Sequence, residues 1–135
     1  MNHKEYESIK AKEWEYAISR VEGVKNSKDP LVRYRDIRPI IDLKHMLETS
    51  VEMYGSNPAV YVKEQAGDPY KTITYKEVKA DVDALGTALI SMGLKDKRIG
   101  IIGDNSYQWC ISYLATVCGT GVVVPLDKEL SGLEL

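Results

Sequence analysis

The apolar positions change their period several times along the chain, and each change marks an element. Tyr6, Ile9, Trp14, Ala17, Ile18 and Val21 recur at loosely helical spacing among charged residues, which predicts a helix over about the first 24 residues. After Pro39, Asp42 is a good N-cap for a second helix. Leu43, Met46, Leu47, Val51 and Tyr54 form its apolar stripe, and Gly55 ends it. Residues 59–62 (AVYV) then read as a strand and residues 72–74 as its partner. Gly67, Asp68 and Pro69 between them are turn chemistry, so a hairpin with a long loop is expected.

Thr74-Tyr75-Lys76-Glu77 is a capping box, in which hydroxyl and carboxylate each satisfy an orphan backbone N–H. Tyr75, Val78, Val82, Leu85, Leu89 and Met92 continue it as an apolar stripe, and Gly93 closes the helix. The stripe is too short for a coiled coil, so this helix should pack on a sheet. Lys95-Asp96-Lys97 reads as an exposed turn and residues 98–102 (RIGII) as a short strand. Gly103-Asp104-Asn105-Ser106 leads into a helix over residues 107–118 that is apolar on nearly every side, and Val122, Val123 and Val124 form a strand stopped by Pro125. Two strands apolar on both faces, joined by a helix, predict a parallel right-handed βαβ unit. The fold class is therefore α/β: a β-hairpin plus a βαβ unit, with helices packed on the sheet.

Residues 105–126 carry no charge, which is long enough to span a bilayer. Ser106, Gln108, Ser112, Thr116, Gly119, Thr120, Gly121 and Pro125 interrupt the stretch, so a buried helix followed by a strand is expected instead of a transmembrane segment. The first 22 residues are charged throughout and lack the apolar core of a signal peptide. Ser131-Gly132-Leu133-Glu134-Leu135 again has the S-x-x-E pattern of a helix start, ending inside its first turn. A helix cut there completes neither its hydrogen bonds nor its buried face, and the expectation is a piece of a longer protein.

Composition narrows the classes. The 135 residues are 44% hydrophobic and 28% charged, ordinary for a globular chain and far from disordered or fibrous compositions. With 18 Lys+Arg against 20 Asp+Glu, a net charge of −2, there is no global basic footprint for nucleic acid. Two cysteines make no disulfide framework, which fits a cytoplasmic chain. Lys25, Lys28, Arg33, Arg35 and Arg38 outnumber Asp29 and Asp36 between residues 25 and 39. With no glycine nest beside it, this stretch reads as a solvated segment and not as a phosphate-binding arm.

Candidate chemistry is sparse. His3 and His45 have no cysteine or carboxylate at metal-ligand spacing. Cys110 and Cys118 lie roughly 12 Å apart if helical, at about 1.5 Å per residue, so neither a disulfide nor a zinc clip fits and both read as core thiols. Asp81 and Asp83 share a solvated helix face and do not make a catalytic dyad. Gly119-Thr120-Gly121 opens like a dinucleotide-binding fingerprint, yet it precedes a strand and position 124 is valine. The turn at Gly103–Ser106 follows a parallel strand, where α/β folds place ligands, although a tight turn with Asn105 or Ser106 as N-cap explains it as well. No catalytic, cofactor-binding or metal-ligating residue is assigned within residues 1–135.

The order of these elements resembles a known family. Ile73-Thr74-Tyr75-Lys76-Glu77-Val78 is similar to the T-Y-x-E-L opening of the first core helix in the AMP-forming adenylate-forming enzymes, which include acyl-CoA synthetases, firefly luciferase and peptide-synthetase adenylation domains. Ala88 to Leu94 (ALISMGL) resembles the A-x-x-L-x-x-x-G-V/L end of that helix, and Arg98-Ile99-Gly100-Ile101-Ile102 the D-R-V-A-I strand. Asn105-Ser106-Tyr107-Gln108-Trp109 resembles N-S-x-E-W, and residues 115–126 (ATVCGTGVVVPL) resemble A-x-x-x-x-G-A-x-x-V-P-L. The likeness covers residues 73–130 and extends weakly back to Asp42. Within the family, Pro125 to Leu130 and the Trp109 helix look most like bacterial long-chain fatty acid–CoA ligases. Gln108 stands where an acid is usual, Cys118 sits beside Gly119, and Thr120-Gly121 stands where the family tends to have alanine.

The resemblance implies an N-terminal helical and basic extension over 1–41 and the first part of the large adenylation domain over 42–135. The parent would use ATP and Mg²⁺ to activate a carboxylic acid, first of all a long-chain fatty acid, as an acyl-adenylate, and coenzyme A would accept the acyl group. The family's phosphate loop, its adenine- and ribose-binding motifs, its hinge and its C-terminal lysine all lie beyond residue 135. These residues are thus expected to be non-catalytic scaffold whose partner is the remainder of the parent enzyme. Alone they are expected to self-associate through the edge at Val122, Val123 and Val124. A peptide-synthetase piece and a free-standing interaction module are the alternatives.

Overall fold

The computed structural model describes residues 3–26, 28 and 38–130. Most of the basic stretch between residues 25 and 39, and the S-x-x-E pattern at 131–135, lie outside the described residues. Two compact units divide between Met46 and Leu47.

In the first unit, α1 (His3–Lys25) buries Ala17 and Val21, two positions of its apolar spacing four apart. Asp42 caps α2 (Leu43–Tyr54) as expected, its Oδ1 accepting from the His45 N–H at 2.6 Å. His45 itself stands edge-on to Trp14, with ring centroids 5.6 Å apart, and its Nδ1 accepts from the Ile41 N–H at 3.4 Å.

The second unit is built around α3 (Tyr75–Ser91). Before it, β1 (Pro58–Val62) and β2 (Lys71–Thr74) form an antiparallel hairpin, pairing Val60 with Ile73 and Val62 with Lys71. After it, β3 (Arg98–Ile101) and β4 (Val122–Pro125) pair in parallel, Arg98 opposite Val122 and Ile101 opposite Pro125. Between these strands runs α4 (Tyr107–Ala115), which widens at Thr116–Thr120 into a π turn. The expected hairpin and βαβ connection are thus both present, as two separate two-stranded sheets. The core joins Leu47 of α2, Val78 and Val82 of α3, and Ile111 and Ala115 of α4, with Val60 and Ile73 of the hairpin packed against it.

Both ends of α3 are closed by sequence-encoded devices. The Thr74 hydroxyl accepts from the Glu77 N–H at 3.3 Å, and the Glu77 carboxylate accepts from the Thr74 N–H at 2.8 Å. The two N–H groups between them are also taken: Tyr75 donates to the Asn57 carbonyl at 3.2 Å and Lys76 to the Gly55 carbonyl at 3.1 Å. At the other end Gly93, with φ of 80°, donates to the Ile90 carbonyl, and Leu94 donates to the Leu89 carbonyl. These two bonds are the Schellman pattern, whose left-handed position favours glycine.

Three expectations are corrected. Met92 extends the apolar stripe of α3 on paper but is 72% exposed, because the helix ends one residue before it. Gly86, which the stripe omits, is buried instead: a Cβ there would lie 3.3 Å from Thr120 Oγ1, so the missing side chain lets α3 approach the π turn. The strand at Val122–Val124, read as buried, is partly open, with Val122 58% exposed and Ile101 the one buried position of the β3–β4 pair. Nor does α4 run regularly to residue 118. The π turn and the reversal at Gly119 (φ 140°) make Thr116 and Thr120 the most buried side chains among the described residues, with hydroxyls on the Ser112 and Gly86 carbonyls.

Gly121 is fixed by close approach. A Cβ there would sit 2.3 Å from the Lys97 carbonyl oxygen, the acceptor for the Val122 N–H that opens the parallel ladder. In denaturant titrations Leu47→Ala should cost about 2–5 kcal/mol and Thr74→Ala about 1 kcal/mol. Gly121→Ala should exceed the Thr74 variant, since the displaced atom is backbone; a midpoint at or above that variant's would show that the ladder yields freely.

Candidate functional site

A groove of the second unit is lined by residues that follow β3, on the side of the strand where α/β folds place ligands. Its volume is about 790 Å³. One wall is the run from Val60 to Glu64, with Lys71 and Ile73 of β2; the other is Asn105 to Gln108, with Asp81 of α3 at the floor. Each wall is consecutive chain because the hairpin and the loop before α4 run along the groove.

Ser106 is the N-cap of α4, its hydroxyl accepting from the Trp109 N–H at 3.2 Å, which leaves Asn105 free of that role. Tyr107 in the next position donates its phenol to Asp81 Oδ2 at 2.6 Å, tying α4 to α3 across the floor. Burial, and then this bond to a carboxylate, push the Tyr107 phenol above its ordinary value, so it stays a donor. Asp81 is thus a structural acceptor, and Asp83 instead holds Lys79 one turn back at 2.5 Å, so the two acids point to different partners.

In the loop just before this stretch, Asp104 pairs with Lys128 at 2.5 Å, joining the loops that leave β3 and β4. The Lys128 hydrogen bond and charge hold the Asp104 carboxyl below its ordinary value. Gly119-Thr120-Gly121 lies in the π turn and its exit, engaged in packing and backbone bonds and well away from a dinucleotide geometry. His45 sits against Trp14, and His3 opens α1. Cys118 is half-buried, but Cys110 is exposed on α4, which corrects the expectation of two core thiols. Among the described residues no three histidine, cysteine or carboxylate side chains converge on a metal-sized site. No helix among them is long and apolar enough to cross a membrane, and the uncharged stretch 105–126 is divided between α4, the π turn and β4.

The groove therefore offers polar walls and one fixed phenol–carboxylate pair, but no nucleophile paired with a base. The Asp81–Tyr107 contact spans 26 positions and left no periodic signal in the sequence.

A family model described as AMP-binding enzyme matches residues 47–135, the extent of the second unit. Long-chain-fatty-acid–CoA ligase 1 of Cavia porcellus is 30% identical over 109 residues, covering 78% of this chain and 15% of the relative. A mitochondrial medium-chain acyl-CoA ligase of Bos taurus is 34% identical over 64 residues, 47% of this chain and 10% of that protein. The crystal structure of the anthranilate CoA ligase AuaEII in complex with anthranoyl-AMP superposes with a TM-score of 0.58 at 18% identity, covering 71% of this chain and 18% of that one. The chain thus spans less than a fifth of the length of these three proteins.

Because the Asp104 carboxyl is held down in the fold, its contribution to stability is present above its ordinary value of 3.8 and is lost as pH falls through the lowered one. Lys128→Gln should return the Asp104 titration, followed by NMR, to the ordinary range. An unchanged midpoint in that variant would mean that the pair does not persist in solution.

Proposed function

The chain belongs to the family of AMP-binding enzymes, and on that premise we propose that it is the N-terminal scaffold of an acid–CoA ligase acting on a long-chain fatty acid. The family match over residues 47–135 carries this reading, and the ligase at 30% identity over 78% of the chain supports the long-chain choice. Residues 42–135 then form the first part of the large domain, with 1–41 as an extension before it. In the parent, a carboxylate oxygen attacks the α-phosphorus of ATP, giving the acyl-adenylate and pyrophosphate. The thiol sulfur of coenzyme A then attacks the acyl carbon, its proton goes to a base, and AMP leaves. Stabilising the charge on phosphate and on the tetrahedral centre is the main catalytic demand.

On this reading the groups that meet that demand belong to the remainder of the parent. Mg²⁺ calls for oxygen ligands around an octahedron, whereas Asp104 is engaged with Lys128 and Asp81 with Tyr107, and among the described residues no three candidate ligands converge. The sequence has no G-x-x-x-x-G-K-[ST] phosphate loop. The contribution of this chain to the parent is mechanical: it presents the hairpin, α3 and the parallel pair as a frame for later residues, and the parent would act in the cytoplasm.

Two outcomes test this. The purified chain should give no fatty-acid-dependent exchange of pyrophosphate into ATP, while a parent carrying the downstream motifs should; exchange by the chain alone would refute the scaffold role. The chain should also self-associate through the β4 edge, where Val122 is 58% exposed and the strand is uncharged. Light scattering over a concentration series should show a dimer or larger, and a monomer throughout would mean that the edge is protected.

A further inference from the structure

Beside the polar groove, a second cavity of about 480 Å³ opens on the seam between α3 and α4. From α3 it takes Asp81, Ala84 and Leu85; the last two follow Asp81 by three and four residues and so share one helix face with it. From α4 it takes Tyr107 with Ile111 and Gln108 with Ser112, each pair four residues apart. Ile111 is a core residue, and Leu85 and Tyr107 pack against the same core, which reaches the surface here.

Among the described residues that line this cavity, Asp81 alone is charged. Its Oδ2 accepts the Tyr107 phenol at 2.6 Å, which holds the carboxylate across the seam, and among the described residues its Oδ1 accepts no bond. Glu77, one turn earlier on α3, adds negative charge that acts on Tyr107. The neighbouring cations are placed elsewhere. Lys79 is held by Asp83, while Lys63 and Lys71 line the polar groove and the Lys71 charge acts on Glu77. Gln108 brings an amide, and the Ser112 hydroxyl donates to the Gln108 carbonyl at 2.8 Å, so neither adds a charge.

We propose that this cavity binds a small organic monocation with one apolar ring, its ammonium on Asp81 Oδ1 and its ring along Ala84, Leu85 and Ile111. A lone carboxylate beside apolar walls selects an ammonium, because a hydrogen bond between charged partners is stronger than a neutral one. An anion would meet the Asp81 charge with nothing to offset it. A metal ion would ask for several oxygen ligands where the cavity supplies one carboxylate. The Tyr107 bond orients that carboxylate beforehand, so little side-chain freedom is lost on binding. The volume lies within the usual range for ligand cavities, about 300–1,000 Å³, and its lower half suits a single ring. This inference is independent of the ligase reading, because it needs neither ATP nor any residue beyond the seam.

NMR titration of the full 135-residue chain with phenethylamine tests it. The amine should bind one per chain and shift the Leu85 and Ile111 methyl signals. Its dissociation constant should be on the order of 1 mM, the scale for so small a ligand. Asp81→Asn, which keeps an oxygen for the Tyr107 phenol, should weaken binding about tenfold, the expected scale for one charge-assisted bond. Asp83→Asn removes a like charge from α3 outside the cavity and should leave binding unchanged. Circular dichroism should be the same for all three proteins, since Asp81 and Asp83 are exposed. Equal loss in both variants would reduce the effect to general electrostatics and overturn the proposal. So would binding of methylamine or of phenethyl alcohol as tight as phenethylamine, because charge and ring are both required. Shifts confined to Tyr61 and Tyr70, the exposed aromatic pair of the hairpin, would place the amine elsewhere and overturn it as well. No saturable shift at roughly ten times the expected constant would do the same.

Discussion

The second unit depends on the first turn of α3. A helix start leaves four backbone N–H groups without helical partners, and burying any of them unsatisfied costs on the order of 1–3 kcal/mol. Here each is assigned. Thr74 and Glu77 serve each other, and Tyr75 and Lys76 donate to the carbonyls of Asn57 and Gly55. Those carbonyls belong to the turn between α2 and β1, and Thr74 is itself the last residue of β2. One helix terminus therefore fixes where α2 ends, where the hairpin begins and how its second strand enters the helix. The Tyr54 and Tyr75 rings, 5.8 Å apart, close the same corner. From it, α3 carries Val78 and Val82 into the core and Gly86 against the π turn.

The opposite side of the unit is held by backbone proximity more than by apolar area. The β3–β4 pair opens with the Val122 N–H on the Lys97 carbonyl, a contact with no room for a side chain at Gly121. The Asp96 N–H adds a bond to Thr120, and the Lys95 ammonium reaches the Gly119 carbonyl at 2.6 Å. Buried threonines complete this side where a larger apolar residue would have to displace α3. The result is a well-defined register on a sheet whose outer positions remain wet, as the exposure of Val122 and Ile102 records.

Local devices were legible in the sequence and long-range ones were not. The capping box at Thr74, the Asp42 cap and the glycine after α3 each follow from chemistry confined to a few residues. The parallel pairing of β3 and β4 was legible because a strand–helix–strand of that length admits few other connections. Periodicity placed Met92 on the buried stripe because it has no knowledge of where the helix stops. It made the stretch after Ala115 regular because a π turn has no distinct composition. Cys110 was assigned to the core on residue type alone, whereas its position on α4 faces outward. The groove walls were least legible: Asp81 and Tyr107 meet only through the packing of α3 on α4, and nothing in either local sequence names the other.

The corner at α3 has a kinetic consequence. All the groups that satisfy its first turn lie between Gly55 and Glu77, so the chain closes only short loops to assemble it. Loop-closure entropy grows with the length closed, and topologies rich in local contacts form fastest. In synthesis from the N-terminus every residue of this corner precedes β3. The parallel ladder, by contrast, waits for residues 122–125. The growing chain therefore meets its first long-range pairing with a helix already anchored, and the search for register between β3 and β4 takes place against a fixed wall.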